Sequence, residues 1–252
     1  MDYSNVNYKK TVLSQVIVRL DFFEFIDERQ LFCDNIEMII MKSFPIKGKQ
    51  QIVRFQMTNF TINPKETKTE NSYREGVQRI FSDNTGNKFV LSNKYAVWEI
   101  NKYTSYDDVW ITINPILEKL FEYASITVVR TGIRYINEYN NNTLKPKKSY
   151  FTIPISSMLD TKVSLDNCIR MMNMTEYIFD DMRLNFRFGL SNPNYPQPVK
   201  NTQFILDYDC FCEEMLNTYT SVSDHINKGH DCIQSLFEKS ITDTLRTAMD
   251  NE

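Results

Sequence analysis

Between Gln50 and Tyr103 the apolar residues fall into short runs of alternating character, QIVRFQM, VQRIFSD, KFVLSN and YAVWEINKY, separated by clusters of Asn, Gly, Asp and Pro. A period of two puts one set of side chains inward and the next outward. Successive runs of this kind with brief connections read as an antiparallel meander. The segment NTGNK, Asn84 to Lys88, holds residues that tolerate positive φ and marks the clearest hairpin turn.

Around this meander the pattern changes period. Residues 12–23, VLSQVIVRLDFF, are rich in β-branched types, with Val16, Val18 and Leu20 alternating with Gln15, Ile17 and Arg19, which predicts a first strand. Asp27 then predicts the cap of a helix through Leu31, Phe32, Ile36, Ile39 and Ile40, ended by Pro45 and Gly48. A second helix is expected after Asp107, with Trp110, Ile113, Ile116, Leu117, Leu120 and Phe121 on one side and Pro115 inside it, placed to kink it or delay its start. Further strands are expected at 126–139, 149–155, 176–189 and 202–211. The terminus reads as one long helix, because Val222, Ile226, Ile233, Phe237, Ile241, Leu245 and Met249 recur in steps of three, four or seven.

This order predicts an α+β fold, antiparallel sheet with helices packed on one face, with two similar β-α-β-meander-α halves as a finer expectation. The polar loop NNNTLKPKK divides an N-terminal half, 1–140, from a C-terminal half, 147–252, the two packed as one unit. No sequence repeat accompanies the division.

Composition removes several function classes. An apolar fraction of 42% and a charged fraction of 24% are ordinary for a folded domain, which argues against disorder. A net charge of −3 offers no global attraction to phosphate backbones, so nucleic acid is not the default partner. The five cysteines are odd in number and irregularly spaced, which predicts reduced thiols rather than a disulfide framework. With a polar N-terminus and no apolar run of spanning length, the expected location is cytoplasmic, with no membrane association.

The residues that carry chemistry are few. In VVRTGIRYIN, alternation puts Arg130, Gly132 and Arg134 on one strand face and Thr131, Ile133, Tyr135 and Asn137 on the other. Two guanidinium groups flanking a glycine suit a carboxylate or phosphate, or else acids on a neighbouring strand. In FILDYDCF, Asp207 and Asp209 share a face and need a cation, either these arginines or a divalent metal. Arg130, Arg134, Asn137, Asp207 and Asp209 are therefore the ligand-binding or ion-pair candidates. Cys210, Cys212, His225, His230 and Cys232 have ligand chemistry, but their spacing matches no usual zinc pairing, so they read as buried structural groups. Two histidines and six glycines leave nucleophile triads and phosphate-cradling loops unsupported.

The strand VVRTGIRYINEY at 128–139, the segment FILDYDCF at 204–211 and the tail HDCIQSLFEKSITDTLRTAMD at 230–250 together resemble a sporadically distributed prokaryotic family of unknown function. Its landmarks are an R-x-G-x-R-Y-x-N strand, an L-D-x-D strand and a terminal helix carrying Phe, then T-D and L-R. Arg130, Gly132, Arg134, Tyr135, Asn137, Asp207, Asp209, Phe237, Thr242, Asp243 and Arg246 match this pattern. The resemblance implies a stand-alone cytosolic protein of patchy, defence-associated distribution, and implies no activity.

The expectation from sequence is thus a non-enzymatic binding or accessory protein without a cofactor. It would serve phage defence or toxin neutralisation by recognising a protein partner or a small anionic ligand. The alternative is a Mg²⁺- or Mn²⁺-dependent enzyme acting on phosphate esters or nucleic acid through Asp207 and Asp209. Assembly into a homodimer through a sheet edge or the terminal helix is a third option.

Overall fold

The computed structural model describes residues 6–63, 66–159, 169–192, 194–197 and 203–250. Its strands are β1 (Leu13–Phe22), β2 (Ile46–Lys47), β3 (Gln51–Asn63), β4 (Glu66–Ser82), β5 (Lys88–Ser92), β6 (Tyr95–Ile100), β7 (Val128–Tyr139), β8 (Met171–Phe179), β9 (Met182–Ser191) and β10 (Gln203–Cys212). The helices are α1 (Glu28–Leu31), α2 (Asp34–Ser43), α3 (Tyr106–Tyr123), α4 (Ile155–Met158), α5 (Tyr219–Ser240) and α6 (Asp243–Asp250).

All ten strands join one sheet in the order β2-β4-β5-β6-β1-β7-β10-β9-β8, with β3 paired to β4 alone. The pairings among the described residues are antiparallel, so this is an α+β fold with an antiparallel sheet and its helices on one face. Strands from the two sides of the 140–147 loop meet where β7 pairs with β10. No helix among the described residues is long and apolar enough to cross a membrane.

The core lies between sheet and helices. Val16, Val18 and Leu20 of β1 are buried, and Val18 stands opposite Trp98 on one side and Ile133 on the other. Trp98 packs tilted at 4.7 Å against Phe89, which meets Phe44 at the end of α2. Over the other half of the same face lies α5. A Cβ on its Gly229 would come within 2.7 Å of Ile133 Cγ2, so the glycine sets how closely the helix approaches the sheet.

Local chemistry explains most boundaries and corrects several expected ones. Gly86, at φ +92°, turns the β4–β5 hairpin within NTGNK. The first helix is two, α1 and α2: Leu31 and Ile36 are both buried yet five residues apart, a step that one helix would turn onto different sides. Asp27 does cap α1, accepting from Arg29 N. For α3 the cap is Ser105, accepting from Asp108 N at 3.1 Å, and the helix runs on through Pro115. The bond that Pro115 cannot make belongs to Ile111, which is exposed, so water can satisfy that carbonyl.

The expected strand at 149–155 is a 3₁₀ turn at Lys148–Tyr150, an isolated bridge from Phe151 to Ile241, and α4. Pro154 has no N–H with which to extend a ladder. The expected strand at 176–189 is part of the β8–β9 hairpin, reversed at Asp180, which adopts φ +53°. The terminal helix breaks at Ile241 and Thr242, where Thr242 N donates to Tyr150 O at 3.0 Å.

Candidate metal centre

Three segments converge at one end of the sheet beneath the first turns of α5. Strand β10 has its even-numbered side chains, Phe204 through Cys212, buried toward the helices, so its last residue delivers Cys212 to that layer. Glu214 follows two residues later and is exposed. Thr218 caps α5, accepting from Ser221 N, and two turns of helix carry His225 to a position that leaves it only 8% exposed. The β8–β9 turn brings Asp181 to the same place.

Ligand atoms of Cys212, Glu214 and His225 all lie within 4.8 Å of one another. Ligands of a four-coordinate ion at about 2.0–2.3 Å sit about 3.3–3.8 Å apart, so the three side chains would have to draw together by about 1 Å to hold one. The Glu214 N–H donates to Cys212 Sγ at 3.4 Å. Burial pushes the Cys212 thiol up against this bond, and a cation at the site would favour its thiolate. His225 is held at both nitrogens: Nδ1 lies 2.7 Å from the Ser221 carbonyl, and Nε2 lies 2.8 Å from Asp181 Oδ2. Burial raises the Asp181 carboxyl, but Lys228, its own backbone and His225 outweigh this and hold it below its ordinary value. Lys228 Nζ is 3.1 Å from Asp181 Oδ2.

The cluster corrects the expectation of a non-enzymatic binding or accessory protein, and with it the description as a defence-associated binding protein. A thiol, an imidazole and a carboxylate whose ligand atoms lie within 4.8 Å of one another could hold a metal ion. Cys212 and His225, expected from spacing to be buried structural groups, are two of the cluster's three members. Spacing along the chain missed the site because its ligands come from a strand end, a connecting segment and a helix. Glu214, an exposed acid just past the strand end, carries no sequence signal that sets it beside the thiol and the imidazole.

His230, Cys210 and Cys232 lie elsewhere on the helix side of the sheet. His230 shares a 2.8 Å hydrogen bond with the Tyr135 hydroxyl and stacks on Tyr106 at 3.7 Å, and burial holds its pKa down at about 4. Cys210 is kept protonated by its hydrogen bond with Cys232 and by burial.

The arginine and aspartate candidates come together on the opposite, open face of the sheet. Arg134 binds Asp207 through two parallel bonds of 2.7 and 2.8 Å. Arg187 Nε, on β9, approaches the other side of the same carboxylate at 3.0 Å, a charge contact without hydrogen-bond alignment. Arg130 lies 3.6 Å from Asp209, over Gly132 and the Phe211 ring. Asn137 faces the helices instead, donating to Leu206 O at 3.4 Å. Above the ladder is an open cavity of about 780 Å³ whose lining includes Arg19, Tyr95, Arg130, Arg134 and Asp209. Arg19 is itself paired with Asp21 at 2.6 Å, so the guanidiniums of this face have acids of their own.

Compared with known proteins, the chain matches no family model and no curated protein.

Proposed function

We propose that this chain is a metal-dependent hydrolytic enzyme acting on phosphate esters, with its ion held by Cys212, Glu214 and His225. The observation that carries the reading is the meeting of those three ligand atoms within 4.8 Å at a partly open corner. Three protein ligands are the count of catalytic zinc sites, which keep a further position for water or substrate. Thiolate and imidazole favour a Zn²⁺-class ion over Mg²⁺, which prefers all-oxygen surroundings. Such an ion lowers the pKa of a bound water to about 7, which supplies hydroxide at neutral pH.

The surrounding residues support this chemistry. Exposed Glu214 keeps the corner accessible, while Cys212 and His225 are rooted in β10 and α5. Lys228 is half exposed and places an ammonium beside the cluster, where a phosphoryl oxygen would find a counter-charge. Asp207 enters this reading only as a structural acid, since both of its oxygens are engaged by guanidinium groups on the other face of the sheet. The family resemblance carries no activity and adds nothing to the reading.

The test is metal content and turnover together. Protein loaded with Zn²⁺ is expected to retain about one ion per chain after desalting and to hydrolyse a nitrophenyl phosphate ester. Cys212→Ser should lose the ion and at least a hundredfold in rate. A wild-type chain that keeps no Zn²⁺ or Mn²⁺ and shows no metal-dependent turnover refutes the proposal.

A further inference from the structure

The cavity of about 780 Å³ on the open face of the sheet is built by register. Ile80 of β4 stands opposite Val90 of β5, which stands opposite Val97 of β6. The same row continues through Arg19 of β1 to Gly132 of β7. A stripe of three β-branched side chains thus runs toward a position with no side chain, two strand spacings or about 10 Å beyond Val97. Arg19, which stands between, is drawn aside to Asp21 and to the Tyr95 ring, 5.1 Å away. At the glycine, Arg130 leans in from the side. Its Nη1 lies 3.1 Å from where a Cβ on Gly132 would sit, and its guanidinium carbon is 4.5 Å from the centre of the Phe211 ring.

The charges of this ladder do not cancel. Arg130, Arg134 and Arg187 face Asp207 and Asp209, which leaves one positive charge over. It is least satisfied at Arg130. Arg134 makes two hydrogen bonds to Asp207, whereas Arg130 reaches Asp209 only at 3.6 Å and makes no hydrogen bond among the described residues. Its side chain is 26% exposed, so water reaches its N–H groups only in part. The remaining cations of the lining are balanced: Arg19 pairs with Asp21, and Lys88 stands opposite Glu99.

We infer that this cavity is a second binding site, for a small molecule whose flat apolar body ends in a single carboxylate. The carboxylate meets Arg130 beside Gly132, where the strand can be approached closely and a planar pair of oxygens matches the guanidinium fork. The body lies along Val97, Val90 and Ile80. One negative charge is what the ladder lacks, and a phosphate dianion would place a second beside Asp209, where like charges repel. The volume falls within the range of about 300–1,000 Å³ that encloses small ligands. The site lies across the sheet from the metal centre and does not depend on it.

Calorimetric titration with biphenyl-4-carboxylate is the test. Wild-type chain should bind one molecule saturably. The neutral biphenyl-4-carboxamide should bind at least about tenfold more weakly, as should Arg130→Gln toward the carboxylate, because each removes a charge-assisted pair. Combining the two changes should cost little more than either alone, since both delete the same contact. Benzoate, too short to reach the stripe, should also be at least about tenfold weaker. No saturable binding to wild type, or equal affinity for carboxylate and carboxamide, overturns the inference; neither result requires a variant to fold. Tighter binding of biphenyl-4-yl phosphate than of the carboxylate overturns the ligand class. Binding that survives Arg130→Gln but disappears in Cys212→Ser places the probe at the metal centre and overturns the site.

Discussion

Replacing Asp207 by Ala removes the carboxylate that stands between Arg134 and Arg187 and tests whether that acid is structural. Its side chain is 4% exposed, and its oxygens lie 2.7 and 2.8 Å from Arg134 and 3.0 Å from Arg187. Breaking a buried pair by deleting one partner costs about 3–5 kcal/mol, because the remaining charge is left uncompensated. Here both guanidiniums are 34% exposed and can recover some water, so the lower end applies, on the order of 3 kcal/mol. For a chain of this size each kcal/mol moves Tm by about 2–4 °C, so the expected drop is about 6–12 °C. Thermal unfolding followed by fluorescence, with and without millimolar Mg²⁺, measures it. Because a ligand bound only to the folded state raises its stability, an acid used for pairing predicts a wild-type Tm that Mg²⁺ leaves unchanged. A drop of less than about 2 °C would show that the desolvation argument is wrong at this site. A Mg²⁺-dependent Tm that disappears with Asp207 would show that the acid holds metal.

Two further perturbations address the helix layer. His230 has its pKa depressed from 6.5 to about 4 by burial, so as pH falls the unfolded chain takes up a proton before the folded one does. Stability is therefore full above pH 6.5 and is lost progressively toward pH 4, by about 3 kcal/mol. Urea titrations across that window should show the slope, and it should flatten in His230→Gln; equal slopes in both proteins would refute the assignment. Gly229→Ala gains about 1 kcal/mol of helix propensity but drives a methyl to 2.7 Å from Ile133 Cγ2, and overpacking of this kind costs about 1–3 kcal/mol. The net expectation is a lower urea midpoint at an unchanged m-value, and a raised midpoint would mean that α5 can lift from the sheet at little cost.

How much was legible beforehand depends on whether a feature is local. Alternation along β7 and β10 placed Arg130, Gly132 and Arg134 on one face and Asp207 and Asp209 on one face, because strand periodicity leaves no other choice. The buried stripe Val222, Ile226, Ile233 and Phe237 was readable in the same way, from the helical period alone. The turn at Gly86 and the cap at Asp27 needed only the few residues that make them. By contrast, the reversal at Asp180 was masked by apolar residues on both sides, Phe179 and Met182, which continue a strand pattern through the turn. The break at Ile241 was equally hidden, since Phe237, Ile241, Leu245 and Met249 keep a perfect step of four across it. There the chain leaves the helix because Phe151 and Tyr150 take its backbone groups.

The sequence by itself determined which side of each strand and helix a residue occupies, since that follows from backbone period and from the exclusion of apolar groups from water. It determined in this way that the aspartates of β10 lie away from its cysteines. Only the tertiary structure decided which residues become neighbours. Cys212, Glu214 and His225 meet because β10 ends where α5 begins to cross it, and Asp181 joins His225 because a turn after β8 reverses at that level. Distance between ligand atoms depends on where a helix is docked against a sheet, and docking is set by the packing of the whole core, which no spacing rule along the chain contains.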